Sequence, residues 1–292
     1  LNRKYLHRFP AILHAFLEIG CPRHSNGFHV LESLVAFTGA GDTLTLSEHS
    51  KLTLQVTGPT ALPAGDGDDN LVLRASRHLA DRVTGLRHGA FHLVKRLPVA
   101  AGIGGGSSDA AAALRLLAQL NNIPLSDRRL QEAARYTGSD VPVCLEAHAR
   151  MMKGAGEILG PALTLPMLPA VLINPGVPVE TKPIFQKLGL SPGDVFTTTR
   201  HPEIPSNCSF GRLIDLVKQG RNDLEDAACL QAPTILDVLS VLRSARGTKI
   251  ARMSGSGATC FALFETSRAA AKASRAIRTA RPDWWVKTAV LR

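Results

Sequence analysis

The residues with the clearest chemistry form the stretch Leu97-Pro98-Val99-Ala100-Ala101-Gly102-Ile103-Gly104-Gly105-Gly106-Ser107-Ser108-Asp109. Glycines let a backbone bend and approach an anion closely. The amides of Gly104 to Ser108 fall where a helix should begin. A helix start favours negative charge through its free N–H groups and its dipole. Ser107 and Ser108 add hydroxyls suited to a phosphate or to a magnesium shell. The chemistry indicated is phosphate binding, by a route other than the common nucleotide motifs. A Walker loop needs a lysine before its Ser/Thr, and none stands here. A dinucleotide fingerprint needs Gly-x-Gly-x-x-Gly, but Gly102 and Gly104 are followed by Ser107. On spacing alone the stretch also fits a tight strand–helix turn.

Two further groupings could join it. In Gly138-Ser139-Asp140-Val141-Pro142, Asp140 follows a helix that ends near Tyr136 and is either a cap or a carboxylate free for proton transfer. Met253-Ser254-Gly255-Ser256-Gly257-Ala258-Thr259 fits either a hairpin or a second backbone approach to phosphates. Other residues read more plainly. His88 and His92 are four apart, but they flank a strand and read as packed or solvated imidazoles. Glu157, after Gly154-Ala155-Gly156, is either a surface carboxylate or a group approaching the site. Asp109 is expected to serve the first helical turn. No residue is assigned as a magnesium ligand.

The elements that must hold these groups follow from periodicity. Residues 43–46 and 52–56 alternate as strands. Residues 65–70 form a loop before a helix with Leu71, Ala75, His78 and Leu79 on one side. A strand covers 91–97, and a helix covers 107–120, apolar nearly all round and so buried. Ser126-Asp127 cap a helix that runs to Tyr136. After residue 150 come strands at 170–173, 250–253, 259–264 and 285–291. Helical spacing runs from Ile235 to Leu242. A helix over 267–281 carries Arg268, Lys272, Arg275 and Arg278 on a solvated face. Strands mixed with helices without strict alternation give an α+β fold. The change in pattern near residue 150 divides the chain into 1–150 and 151–292.

Composition narrows the function. Thirty-four Lys and Arg against 24 Asp and Glu leave a net charge of +10 in 292 residues, 45 % of them apolar. That is a globular chain with room for a large core. The charge admits nucleic acid, but it suits a phosphorylated metabolite equally. With only two Tyr and two Trp, a base-stacking platform is disfavoured. Five cysteines without a Cys-x-x-Cys pair argue for reduced, buried thiols rather than disulfides or zinc. No apolar run reaches the length of a membrane span, and no signal segment opens the chain. The expectation is a cytoplasmic protein in which the sequon at Asn207 has no role.

Taken together, the groupings resemble the GHMP kinase superfamily. Pro98 to Ser108 match its ATP-phosphate loop, and Gly255-Ser256-Gly257 match its late glycine loop. More pieces resemble the branch that phosphorylates the 2-hydroxyl of 4-diphosphocytidyl-2-C-methyl-D-erythritol, in the non-mevalonate route to isoprenoid precursors. They are Gly27-Phe28-His29, Asp69-Asn70-Leu71-Val72, Lys95-Arg96-Leu97-Pro98, Gly138 to Pro142, Gly154 to Glu157, Asn174 to Pro178 and Arg221-Asn222-Asp223-Leu224-Glu225. The resemblance spans residues 27–264. It implies a ribosomal-S5-like N-terminal domain and a ferredoxin-like C-terminal domain, with the active site between them. It also implies ATP and Mg2+ as cofactors and a cytidine diphosphate-linked sugar alcohol as substrate, with no nucleic acid or membrane partner, in a monomer or homodimer. Asp140 takes the place of the family's catalytic aspartate. Pro98, Val99, Ala100, Ala101, Gly102, Ile103, Gly104, Gly105, Gly106, Ser107 and Ser108, with Asn70, Lys95, Gly255, Ser256 and Gly257, fall on the nucleotide side. Phe28, His29 and Thr181 fall on the substrate side.

One departure stands out. The family begins with Pro-Ala-Lys-Ile-Asn-Leu, and its lysine is the second catalytic residue. Here the stretch is Pro10-Ala11-Ile12-Leu13-His14-Ala15. Aligning on Pro-Ala places Ile12 at the lysine, and counting back from Gly27 places Leu13 there. Three readings stay open. A basic group such as Lys4, Arg8 or His14 fills the place. The chain is a weak or inactive nucleotide-binding relative. Or residues 1–26 come from a shifted reading frame, since the family pattern returns at Gly27. A kinase for another small alcohol, such as homoserine or mevalonate, is a further alternative. Phe28-His29 and Arg221 to Glu225 speak against it.

Overall fold

The fold is that of a computed structural model, which describes residues 4–22, 29–190 and 201–292. In chain order the first elements are β1 (Lys4–Pro22), β2 (His29–Glu48), β3 (Thr53–Thr57), α1 (Ala61–Ala64), α2 (Leu71–Ala80), β4 (Gly89–Val94), α3 (Gly105–Leu120), α4 (Arg128–Thr137) and α5 (Val141–Glu146). There follow β5 (Arg150–Gly154), β6 (Ile158–Leu159), β7 (Leu168–Asn174), α6 (Thr181–Lys187), α7 (Phe210–Gln219), α8 (Glu225–Gln231), α9 (Thr234–Ser244), β8 (Thr248–Met253), β9 (Cys260–Phe264), α10 (Ser267–Ala280) and β10 (Trp285–Leu291). The composition is α+β, as expected.

The chain forms two compact units. The first comprises Leu1–Ala11, Ala40–Val99 and Gly104–Ala147; the second comprises Ile12–Gly39, Ala100–Ile103 and His148–Arg292. A single division at residue 150 lies near the last crossover, at 147/148, but it misses the earlier exchanges. The reason is that β1, β2 and the glycine loop each contribute residues to both units. Such sharing leaves no shift in composition for a linear reading to detect.

In the first unit β4 pairs antiparallel with the second half of β2, from Thr43↔Val94 to Glu48↔Gly89. It pairs parallel with β3, from Thr53↔Ala90 to Thr57↔Val94. Here α3 packs against α2 and α5. The run Ala110 to Ala113 and the leucines at 114, 116, 117 and 120 are buried, so α3 is the spine of this core. Alanine and leucine favour the helix, and alanine's small side chain lets neighbouring helices come close. Asp127 caps α4, accepting from Arg129 N at 2.8 Å, as expected. Strand β4 ends at Val94, short of Leu97, because the Arg96 and Leu97 amides turn to Asp42 Oδ1 at 2.5 and 2.9 Å.

In the second unit β10 pairs with β7, β7 with β9, and β9 with β8, all antiparallel. The first half of β2 pairs with β5, from Leu31↔Gly154 to Val35↔Arg150. All seven residues of β7 are buried. Its Val171 and Ile173 join Ile235, Val238, Leu239 and Leu242 of α9 and Ala270 and Ile277 of α10 in one apolar cluster. Arg268, Lys272, Arg275 and Arg278 stand exposed on α10, the solvated face expected of them. Among the described residues no helix is long and apolar enough to cross a membrane.

Candidate active site

The glycine loop contributes residues to both units, and each part has its own geometry. In the first unit Gly104 adopts the left-handed conformation, φ 53°, and α3 begins at Gly105 rather than at Ser107. No side chain caps this helix, and its first internal bond is Ser108 N to Gly104 O, 2.9 Å. The N–H groups of the first turn therefore meet no capping oxygen from a side chain. An uncapped start on a long helix is the donor set that an anion needs.

Four sequence assignments change here. Ser108 does not present its hydroxyl to a ligand: it is 2 % exposed. Its Oγ donates to Pro10 O at 2.8 Å and lies 3.4 Å from Cys144 Sγ. One residue further along the helix than Ser107, it faces the core, while Ser107 stays half-buried. Asp109 does not serve the helix start. Its Oδ2 takes the Lys95 ammonium at 2.7 Å, and that ammonium also meets Asp42 Oδ2 at 2.6 Å. Lys95 is 3 % exposed, so it supports the loop from beneath and is not free to reach a nucleotide. Asn70 is the N-cap of α2; it accepts from Val72 N and donates to Gly65 O at 2.8 Å.

The charges in this cluster shape one another. Burial works against the Lys95 ammonium, but Asp109 and Asp42 outweigh it and its pKa rises. Burial raises Asp109, and the neighbouring Asp42 adds to the rise against the pull of Lys95. Burial also pushes the Cys144 thiol up to about 12 and Cys229 to about 11. Such a shift keeps a thiol protonated; Cys144, Cys229 and Cys260 are buried as expected, whereas Cys208 is half-buried and the side chain of Cys21 lies outside the described residues.

Asp140 immediately precedes α5, yet its side chain makes no capping bond. Its backbone carbonyl accepts from Cys144 N at 3.3 Å. The carboxylate is half-buried, and α5 packs against α3. No ion pair to Asp140 occurs among the described residues. The side chains of Lys4, Arg8 and His29, and all of Phe28, lie outside the described residues.

In the second unit, residues 100–103 are stitched between β1 and the turn joining β8 to β9. Ile12 N donates to Ile103 O at 3.1 Å, and Thr259 N donates to Ala101 O at 3.1 Å. Ser254 Oγ donates to Gly102 O at 2.9 Å and accepts from His14 N at 3.1 Å. A Cβ on Gly102 would lie 2.5 Å from Ser254 O and 2.7 Å from Gly257 N, and φ is +69°. Only glycine fits. Gly255-Ser256-Gly257 is thus both the turn and a close backbone approach, though it approaches the glycine loop itself. Ser256 Oγ lies 2.8 Å from Thr181 Oγ1, joining one expected nucleotide residue to one expected substrate residue.

Nothing in the spacing of Arg221 to Glu225 signals what that segment does. Asn222 Nδ2 donates to Met253 O at 3.0 Å and to Gly255 O at 2.8 Å. Glu225 Oε2 accepts from Met253 N at 3.1 Å. Arg221 Nε donates to Asp223 Oδ1 at 2.6 Å, and Asp223 Oδ2 accepts from Ile19 N at 2.8 Å. The segment pins the glycine turn and ties it to β1.

Ile12 and Leu13, the two residues that align with the family's lysine, are both fully buried. His14, 6 % exposed, places Nδ1 2.9 Å from Ser33 Oγ. His92 Nε2 lies 2.8 Å from Thr57 Oγ1, a packed imidazole. Glu157 accepts from Ala155 N within its own turn. No cluster of three or more His, Cys, Asp or Glu suited to a metal occurs among the described residues.

Comparison with known proteins adds to this geometry. The GHMP kinases N terminal domain matches residues 70–147, and the GHMP kinases C terminal domain matches residues 209–283. A protein of Methylobacterium radiotolerans named 4-diphosphocytidyl-2-C-methyl-D-erythritol kinase is 59 % identical over 98 % of both chains. One of the same name from Xanthobacter autotrophicus is 50 % identical, again over 98 % of both. A crystal structure of 4-(cytidine 5'-diphospho)-2C-methyl-D-erythritol kinase superposes with a TM-score of 0.75 at 29 % identity, covering 98 % of this chain and 99 % of that one. Homoserine kinase from Cytophaga hutchinsonii, 16 % identical with a TM-score of 0.68 over 98 % and 94 %, shares the fold.

Proposed function

Because the chain belongs to the 4-diphosphocytidyl-2-C-methyl-D-erythritol kinases of the GHMP kinase family, we propose the following reaction and roles. The protein transfers a phosphoryl group from ATP to the 2-hydroxyl of 4-diphosphocytidyl-2-C-methyl-D-erythritol. The observation that carries the roles is the uncapped start of α3, together with an Asp140 that spends its carboxylate on no cap at the head of α5, which packs against α3. The first-turn amides receive the phosphates. Asp140 accepts or orients the hydroxyl proton. Phosphoryl transfer asks the protein mainly for such positioning and charge stabilisation.

The donor set fits a nucleotide triphosphate with its metal. Magnesium is usually held by one or two carboxylates together with substrate phosphates, so the absence of a three-ligand cluster among the described residues is compatible with it. When bound it neutralises charge on the transferring phosphates. Five cysteines without a Cys-x-x-Cys pair support a reducing, cytoplasmic setting.

The experiment is ADP release by the full chain with ATP, Mg2+ and the cytidylated alcohol. Turnover is expected. No turnover above background, with the fold intact, overturns the catalytic reading. A second reading has its own observation: apolar, buried Ile12 and Leu13 at the family's lysine. It describes an impaired kinase that still binds ATP, and it predicts ATP-dependent thermal stabilisation without product.

A further inference from the structure

The first unit buries a single ammonium between two carboxylates, and the arrangement reaches both ends of the glycine loop. At the entry, Asp42 Oδ1 accepts from the Arg96 and Leu97 amides at 2.5 and 2.9 Å. Asp42 Oδ2 accepts from Lys95 Nζ at 2.6 Å. At the exit, Lys95 Nζ donates to Asp109 Oδ2 at 2.7 Å. Asp109 lies four residues after Gly105, so the two stack on one face of α3. A Cβ on Gly105 would stand 3.3 Å from the Lys95 ammonium. Lys95, Asp42 and Asp109 are 3 %, 1 % and 4 % exposed. Charges buried this deeply are tolerated only when paired, and a broken pair is costly.

We propose that Lys95 is a positioning residue for ATP. By joining Asp42 to Asp109 it fixes the first two turns of α3, and with them the amides that receive the phosphates. The proposal rests on the reading of that helix start as the phosphate site. Lys95 touches no reacting group in this scheme: two of its three N–H bonds are committed to carboxylates. Its effect passes through the placement of α3. A displacement of about 1 Å in a catalytic arrangement can cost about 100-fold.

The test uses the full-length protein and three variants: Asp109→Leu, Asp109→Asn and Lys95→Met. Leucine removes the acceptor at nearly constant volume, whereas asparagine keeps an oxygen for the ammonium. Dissociation constants for ATP and for the cytidylated alcohol are measured separately by calorimetry, with thermal melting and, where turnover exists, kcat and KM. In Asp109→Leu, ATP binding should weaken about tenfold or more while affinity for the alcohol stays within about twofold. Asp109→Asn should recover most of the ATP affinity. Lys95→Met should resemble Asp109→Leu; if it does not fold, the Asp109 pair still decides. A merely structural role would weaken both ligands together with the melting temperature, and that result overturns the proposal. So does ATP affinity unchanged in a folded Asp109→Leu protein. No ATP binding by the parent protein overturns the phosphate-site reading beneath it. Intact parental binding that is indifferent to Asp109→Leu overturns the positioning role alone.

Discussion

Asp140 carries the heaviest role at the scale of single residues, and the smallest change that tests it is removal of its charge. In Asp140→Asn the side chain keeps its size but cannot take a proton. Because no capping bond is lost, melting should be unchanged while kcat falls about 100-fold or more, with KM for ATP little altered. An unchanged kcat removes Asp140 from the chemistry. The lysine gap can be tested at the same scale. Neighbouring strand residues point to opposite faces, so Ile12→Lys and Leu13→Lys place an ammonium on opposite faces of β1, and only one of them can answer to the family's lysine. That variant should raise the rate about 100-fold, the scale of one preorganised charge. Its melting temperature should fall, because the position is fully buried. If neither folded variant is faster, the gap is not what limits the rate. Legibility at this scale was uneven. Glycine at 102 is legible as a close backbone approach, but the partner is the protein's own turn at Ser254 and Gly257 and not an anion. The hydroxyl of Ser108 suits a phosphate, and the family resemblance puts Lys95 and Asn70 on the nucleotide side. Their hydroxyl, ammonium and amide instead satisfy buried or local backbone and side-chain partners. Residue type reports hydrogen-bonding capacity, and only packing decides who uses it.

Among the elements, α3 and the glycine segment before it bear most of the demand. Gly102 lies against the turn at Ser254 and Gly257 with no room for a methyl group. Gly102→Ala should destabilise the protein by about 3 kcal/mol and lower the melting temperature by about 5 °C or more, read by calorimetry. Melting within a degree of the parent would mean that the turn yields easily. Strongly periodic or well-capped elements were legible: α3, α4 with its Asp127 cap, and α10 with its exposed arginines. β1 was not, because a strand buried along residues 11–15 loses the alternation that marks a half-exposed strand. The role of Arg221 to Glu225 was equally hidden. Its hydrogen bonds reach residues as far away as Ile19 and Gly255, and no local pattern encodes a partner at that distance.

For the whole molecule, charge and titration set how stability responds to pH. His201 is 8 % exposed. Burial lowers its pKa to about 4, with Arg221 and Arg252 adding to the drop. The unfolded chain takes up its proton near pH 6.5, before the folded protein does. The unfolded state therefore binds more protons between pH 6.5 and about 4. Stability contributed by neutral His201 is complete above that window and is lost as pH falls through it, by about 3 kcal/mol in all. Denaturant titrations of His201→Gln across this range should show a shallower loss than the parent. Parallel curves would remove His201 as a cause. The +10 charge, which admitted a nucleic-acid partner, is in part the exposed basic face of α10. The fold class was legible from the mixture of elements. The route of the chain through two units was not, because it depends on which strand halves pair.

That route also sets a timetable for synthesis. His14 N meets Ser254 Oγ across 240 residues of chain, and Leu17 N meets Arg221 O. At about 5–20 residues per second, a ribosome needs about 12–48 s to deliver the partner of His14. Over that interval Ile12, Leu13 and Leu17, all buried in the finished protein, have left the exit tunnel without their later neighbours. Residues up to Ala147 can by then have closed the first unit. The nascent second unit is therefore the part that a chaperone would have to shelter, and its sticky end is the one made first.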